Sequence, residues 1–418
     1  MVAVYCGIDF GTSNTTVGIS DGAKARLIAL EGSHRTLPSA LFFDVEDHGT
    51  HFGREAIDRY LRGHDGRFMR ALKSILGTSL IDEKTYIGRK AVPFTDILGL
   101  FFAHLKGRIE RDLDREISDV VLGRPVRFVD NDDAADAQAQ ATLEAIARAQ
   151  GFRTIAFQYE PIAAALDYEQ HVAREELVLI ADIGGGTSDF SIVRVSPQRR
   201  GARERGGDIL ANAGIHIGGT DFDRLLSLKS VMPHLGFGSP TVDGKRNLPS
   251  APYHELATWH RINQLYKKAV MAELRQIRYE AARRDLVDRL IRIVEGRHGH
   301  DIAIAVEQAK IDLTTKPATT AALAQQGDWA RFRFERRDLD AAIADSIARI
   351  VRRVQRLLQD AGTQAAGINT IFLTGGSSMV PALRAAILAQ FPGATVADSD
   401  LLGSVGMGLA LDARSRFG

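Results

Sequence analysis

Residues 177–195 read Leu-Val-Leu-Ile-Ala-Asp-Ile-Gly-Gly-Gly-Thr-Ser-Asp-Phe-Ser-Ile-Val-Arg-Val, and they concentrate groups that could handle a phosphate. Gly184, Gly185 and Gly186 lack the Cβ that keeps backbone N–H groups away from an anion. Successive N–H groups form a concave nest suited to phosphate. Thr187 adds a hydroxyl donor. Asp182 and Asp189 would repel a bare phosphate, so the pattern calls for a hard cation such as Mg²⁺ between carboxylate and phosphate.

An earlier stretch repeats the arrangement. Residues 7–19 read Gly-Ile-Asp-Phe-Gly-Thr-Ser-Asn-Thr-Thr-Val-Gly-Ile, with Asp9 closing an apolar run, then Gly11, Thr12 and Ser13, then a β-branched run. The later copy looks like the earlier one with two glycines inserted. Either stretch alone reads as an ordinary hairpin with a polar tip. Two copies suggest an internal duplication whose hairpins face each other across a cleft.

Several elements would have to position these tips. Residues 2–8, 15–20 and 24–30 read as a three-strand meander, and 37–43 as a further strand. Residues 54–77 and 94–115 read as helices with arginine-studded polar faces. Lys73, near the end of the first, has the bland reading of a surface cation favoured at a helix C-terminus. Residues 118–128 form a strand closed by Arg124-Pro125. The cluster 130–133 reads as helix capping rather than metal ligation, ahead of an alanine-rich helix ending at Gly151. After a short strand at 154–157, Pro161 fits a first helical turn. Glu160 then stands at that helix N-terminus, either complementing the dipole or facing a cleft. Strands alternating with helices place this half in the α/β class.

In the second half, 197–207 is a basic loop and 209–217 a strand ending in Gly218 and Gly219, a phosphate or ribose approach or a plain helix entrance. Residues 229–252 are irregular and 256–297 helical and charged, a solvated face. His298 and His300 flank Gly299 and make a weak metal candidate. Helix 302–314 presents Glu307, Lys310 and Thr314 on one side, ordinarily a solvated stripe. Residues 338–360 are an amphipathic helix. The strand 370–374 then runs into Gly375, Gly376 and Ser377, a backbone-approach signal before a helix. No P-loop and no strand–GxGxxG–helix fingerprint occurs.

Composition narrows the class. The 418 residues lead us to expect two or three domains, and a formal net charge of +1 argues for neither nucleic acid nor an anionic membrane as partner. The single cysteine, Cys6, excludes an internal disulfide framework and favours a reducing compartment. Arginines or glycines interrupt every apolar run short of a membrane span, and no cleavable leader is read at the N-terminus. A soluble, cytoplasmic protein is expected.

Taken in order, the Asp-Gly-Thr hairpin, Glu-Pro helix, Asp-Gly-Gly-Gly-Thr hairpin, Gly-Gly-Thr-Asp turn, Glu-x-x-Lys helix and Gly-Gly-Ser turn run from Gly7 to Gly408. This resembles the nucleotide-binding domain of the DnaK-type heat-shock chaperone (heat shock protein 70) family, within the actin–hexokinase–chaperone superfamily, and among its members the shorter YegD-like branch. The resemblance implies an α/β actin-like ATPase fold of two duplicated lobes, each a mixed five-stranded sheet with helices, around a nucleotide cleft. Lobe I would be 1–172 with a peripheral subdomain at about 37–113, and lobe II 173–397 with a peripheral helical subdomain at about 229–331. The segment 398–418 would pack back on lobe I, and no peptide-binding domain is expected.

The resemblance also implies roles. Asp9 and Asp182 would hold Mg²⁺ through water, with potassium-like ions nearby. Thr12, Ser13 and Thr187 with the backbone of Gly11, Gly184, Gly185 and Gly186 would contact phosphates. Lys73 lines up with the family's catalytic lysine, and Glu160 and Asp189 would orient the attacking water. Gly218, Gly219, Glu307, Lys310, Thr314, Gly375, Gly376, Ser377 and Asp400 would hold ATP or ADP by its nucleoside end. Ile311 and Met379 stand where the family has adenine-stacking arginines, removing a cation–π contribution of roughly 0.5–2 kcal/mol. The function implied is slow ATP hydrolysis that drives lobe closure, read by a co-chaperone or client. A sugar-type kinase of the same superfamily lacks a convincing Asn-x-Asp acceptor site here. An actin-like filament protein sits badly with the charged 256–297 region.

Overall fold

The computed structural model describes residues 4–21, 25–88, 90–129, 132–323, 328–397 and 403–418. Two sheets share one plan. In the first, Tyr5–Phe10 pairs antiparallel with Asn14–Ser20, which pairs antiparallel with Ala25–Leu27. On its other side Tyr5–Phe10 lies parallel to Asp119–Arg124, itself parallel to Thr154–Tyr159. In the second, Glu176–Ile183 pairs antiparallel with Ser188–Val195, and that strand with Ile209–Ile215. On the other side follow Thr370–Thr374 and Thr395–Val396, both parallel. Order and direction match strand for strand, so the duplicated Asp-Gly-Thr motif is the visible part of a duplicated α/β architecture. The first sheet gains a sixth strand, Thr36–Pro38, alongside Asn14–Ser20.

Helices cover the sheets and give each its core. Phe94–Leu113 buries Phe101, Phe102 and Leu105 against Phe10 and Ile8, with Asp133–Ala149 beside it. Arg336–Asp360 runs along the second sheet and buries Ile343, Ile350 and Val354. The C-terminal helix Ser404–Phe417 packs on Tyr5–Phe10 and on the helix Glu160–Glu169. Glycine makes that last crossing possible: a Cβ on Gly408 would overlap the carbonyl of Ala163.

Two sequence expectations change. Residues 54–77 are not one helix. Gly53–Leu61 is helical, then Gly63 at φ 79° breaks the chain, Gly66–Arg70 pairs as a strand with Ala40–Asp44, and Leu72–Ile75 is a 3₁₀ turn entered through Ala71 at φ 56°. Alternate residues Phe68 and Arg70 therefore project from a strand, a period that the arginine spacing concealed. Residues 37–43 likewise split at Ser39 into strands of different sheets, Thr36–Pro38 and Ala40–Asp44. Ser39 turns inward there, donating to the Gly11 carbonyl at 2.6 Å. The remaining periphery is the charged helical region Lys268–Glu280, Arg284–Glu295 and Gly299–Asp312, plus the hairpin Ala318–Ala322 with Arg331–Glu335.

Candidate functional site

Each central hairpin ends in its glycine turn, and the turns meet. A Cβ on Gly185 would lie 2.8 Å from the Ser13 hydroxyl, so the tip of the second hairpin stands against the tip of the first. Register places Asp9 opposite Thr16 and Asp182 opposite Asp189 at the strand ends. Thr187 donates its hydroxyl to Asp189 at 3.0 Å, and the Gly184 N–H closes the turn on the Thr187 carbonyl at 2.9 Å. Two further turns converge on this tip. Gly218 passes so close that a Cβ there would sit 2.5 Å from the Gly185 carbonyl. The Ser377 hydroxyl donates to the Gly184 carbonyl at 2.9 Å, and Gly375 at φ 76° packs against Asp182.

Lys73 is the cation of the site. The 3₁₀ turn brings its ammonium 2.5 Å from a Glu160 carboxylate oxygen, with side chains only 10% and 20% exposed. Burial works against the ammonium, but Glu160 and Asp9 outweigh it and hold its pKa above the ordinary lysine value. The carboxylates feel the reverse. Burial, reinforced by Glu160, pushes Asp9 up to about 7, and burial with Asp189 pushes Asp182 up to about 6. Glu160 heads its helix, and Gly123 leaves room for it: a Cβ there would lie 3.3 Å from the Glu160 Cγ.

These raised values give stability a pH sign. The folded state holds protons on Asp9 that an unfolded chain, titrating near 3.8, has released, so this contribution is present in acid and is lost as pH rises through about 7. In buffer without divalent cations, denaturant midpoints of the wild type should therefore fall from pH 5.5 to 8 relative to those of Asp9→Asn. Parallel curves for the two proteins would show that burial of this charge carries no cost.

Lys310 lies on the helix Gly299–Asp312 and is buried, against the expectation of a solvated stripe. It bonds Asp223 at 2.9 Å and the Gly219 carbonyl at 3.2 Å. Burial pushes Asp223 up to about 6, and its Oδ1 finds no hydrogen-bond partner among the described residues. Glu307 is exposed on the same helix, and Thr314 folds its hydroxyl back onto the Ile311 carbonyl at 2.7 Å. Ile311 and Met379, on the elements that bear Lys310 and Ser377, are 50% and 44% exposed. Asp400 lies outside the described residues.

The two histidines take different partners. His298 bonds Asp301 at 2.8 Å, and His300 bonds the Tyr60 hydroxyl at 3.0 Å. In the 130–133 cluster, Asp132 accepts the Ala135 N–H at 2.9 Å as a helix cap, and positions 130 and 131 lie outside the described residues. Among the described residues, the clusters tight enough to grip an ion directly are Asp44–Asp47–His51 and Asp44–Glu46–His64. Arg59 already supplies the cation there, at 2.8 Å from Asp44 and 2.7 Å from Asp47.

The bond from His300 to Tyr60 belongs to a contact that sequence patterning does not disclose. Asn263 donates to the Tyr60 hydroxyl at 2.6 Å, the Tyr60 ring stacks on Phe68, and the Arg70 guanidinium lies 5.4 Å from the Trp259 ring centre. Burial pushes His300 down to about 4, so its ring is neutral and can accept from Tyr60. Residues from the strand Gly66–Arg70 and helix Gly53–Leu61 thus clasp residues near 259–300. The strand that carries Phe68 and Arg70 leads within three residues to Lys73.

A family model described as Hsp70 protein matches residues 5–98, 83–229 and 295–413. The unmatched 230–294 includes Trp259 and Asn263 of the clasp. The chain is 28% identical over 435 residues to chaperone protein HscA of Edwardsiella ictaluri, covering 97% of this chain and 57% of that protein. It is 27% identical over 428 residues to chaperone protein HscA of Citrobacter koseri, with the same two coverages. The chain therefore spans a little over half the length of these curated relatives. Both facing hairpins and the turns that meet them fall inside the matched residues, and on this α/β, actin-like ATPase fold the chain belongs to the Hsp70 family.

Proposed function

We propose that the chain binds ATP and ADP between the two hairpins, hydrolyses ATP slowly, and uses closure of its lobes around nucleotide as a switch in chaperone-related work. The observation that carries this is the Lys73–Glu160 pair set beside Asp9 and Asp182, where the Ser13 and Gly185 tips meet. Facing glycine turns offer backbone N–H groups to phosphate oxygens. Asp9 and Asp182 suit a hard cation, being carboxylates whose ionised form is disfavoured by burial and by the neighbouring Glu160 and Asp189. Mg²⁺, held by them through water, would supply charge neutralisation on the phosphates.

Phosphoryl transfer asks a protein mainly for positioning and electrostatics. The Lys73 ammonium would face charge developing on the transferred group. Glu160, released from Lys73, would orient a water and accept its proton as the water oxygen bonds phosphorus and ADP leaves. Lys310, Ser377 and the Gly218–Gly219 turn would line the nucleoside side, with Ile311 and Met379 offering apolar and thioether contact to a base.

The closure reading draws support from the clasp of Tyr60, Asn263 and His300, which joins the stretch of chain between the two hairpins to the stretch beyond the second. As proposals, lobe I is 1–172, lobe II 173–397, and 398–418 belongs with lobe I. A co-chaperone or client would be the partner and the cytoplasm the setting. No helix among the described residues is long and apolar enough to cross a membrane. The finer placement in the YegD-like branch rests on motif order and is likewise a proposal.

Fluorescent ADP and ATP binding with Mg²⁺, followed by single-turnover hydrolysis, tests the reading. ADP should leave Tyr60→Phe roughly thirtyfold faster than wild type, since two hydrogen bonds of about 1 kcal/mol each are lost and the ring stack is kept. Failure of the wild type to bind any nucleotide sinks the proposal. An unchanged release rate sinks the closure part alone.

A further inference from the structure

Arg124 ends the strand Asp119–Arg124, and in the parallel pairing it stands beside Tyr159, the residue before Glu160. Its side chain is 11% exposed, and its donors are used in several directions. Nε donates to the Pro125 carbonyl at 3.0 Å, Nη1 to the Gln140 side chain, and Nη2 to Asp136 at 2.7 Å and the Val126 carbonyl at 3.3 Å. Asp136 also accepts the Phe128 N–H at 2.6 Å, so one ion pair closes the loop that follows the strand. The guanidinium lies 5.3 Å from the centre of the Tyr159 ring and 5.2 Å from that of Phe128. A lysine could keep the charge opposite Asp136 but has neither the plane for two rings nor the fork for these acceptors.

What is held this way is the entry to the Glu160 helix. Glu160 is its first residue, so its carboxylate is aimed by the backbone at 159–160 as much as by its own rotamer. The wall opposite is also strand end, since Gly123 is the residue that clears space for the Glu160 side chain. Gly123 and Arg124 together thus set where Glu160 can stand relative to Lys73. We propose that Arg124 is a positioning residue for Glu160. It acts through Tyr159, touches neither nucleotide nor reacting atoms, and serves the hydrolytic reading on which this inference rests. A displaced catalytic group costs rate steeply: a misplacement of about 1 Å can cost on the order of 100-fold.

The experiment is single-turnover ATP hydrolysis, with nucleotide affinity measured alongside, for wild type, Arg124→Lys, Glu160→Gln and the double variant. Arg124→Lys should hydrolyse at least roughly tenfold more slowly, with nucleotide affinity unchanged within about twofold. In the Glu160→Gln background the same change should have little further effect, because the group being positioned is already gone. A merely structural arginine would slow both backgrounds equally, or weaken nucleotide binding in step with the rate; either result overturns the proposal, as does wild-type hydrolysis by Arg124→Lys. Tyr159→Leu removes the ring and leaves the Asp136 ion pair in place, so it carries the same test with the same expectations if Arg124→Lys does not fold. Absence of nucleotide binding in the wild type is a different outcome and overturns the functional reading beneath.

Discussion

Lys73→Ala should lower single-turnover ATP hydrolysis roughly 10²–10³-fold while nucleotide still binds, the size of effect seen when one preorganised electrostatic group is removed. The lysine is placed at some conformational cost. The left-handed Ala71 turns the chain out of the strand Gly66–Arg70, and the 3₁₀ turn buries Leu72 while sending the Lys73 ammonium to Glu160. Four carboxylates, Asp9, Glu160, Asp182 and Asp189, act on that cation, and its loss leaves them repelling one another. In the proposed hydrolysis Lys73 would face the transferred group while Glu160, freed from it, would face the attacking water, so both serve one transfer and would act as a unit. Glu160→Gln should cost a similar factor, and the double variant should be little worse than the worse single change. Rapid-quench measurement at saturating ATP decides the matter. Hydrolysis by Lys73→Ala at the wild-type rate would reduce the lysine to an ion-pair partner.

The features legible in the sequence are those whose physics is local. An apolar run ending in Asp, then Gly and Thr, describes a hairpin tip without reference to any other part of the chain, and its repetition disclosed the duplicated sheets. Pro161 and Glu160 mark their helix start, and Gly375 occupies the left-handed position that its turn needs. Lys73 is picked out in the sequence only by the family resemblance, because the local pattern reads it as a surface cation. Its arginine-rich surroundings mimic a helix face, and only pairing with Ala40–Asp44 makes 66–70 a strand. The clasp was out of reach for a different reason: Tyr60 and His300 are 240 positions apart, and each looks like an isolated surface residue. Lys310 looked like part of a solvated stripe because Asp223, its partner, sits on another helix. In each case the missing information is a tertiary partner.

Arg205 is the sharpest instance. In sequence it belongs to a basic, glycine-containing loop with Arg199, Arg200 and Arg203, which would ordinarily be solvated. In the fold its side chain is 2% exposed and bonds both oxygens of Glu169, itself fully buried, at 2.8 and 2.7 Å, and Asp208 at 2.5 Å. Glu169 also accepts the Ser196 N–H at 3.2 Å, and Arg200 donates to its carbonyl at 2.9 Å. Since Glu169 is the last residue of the helix that Glu160 begins, this network pins the far end of the element that aims Glu160. Arg205→Met should destabilise the protein by about 3–5 kcal/mol, because it leaves the buried Glu169 without its cation and Asp208 with Arg199 alone, at 3.0 Å, rather than because the ion pair itself is worth that much. Removing the stranded charges as well should recover most of the loss: Arg205→Met/Glu169→Met/Asp208→Asn is expected to be substantially more stable than Arg205→Met alone. Denaturant melts of the single and triple variants separate the two explanations. Equal destabilisation in both would mean that the guanidinium contributes packing and orientation that apolar side chains cannot replace. A near-neutral Arg205→Met would mean that Glu169 finds water or a proton when its partner is gone.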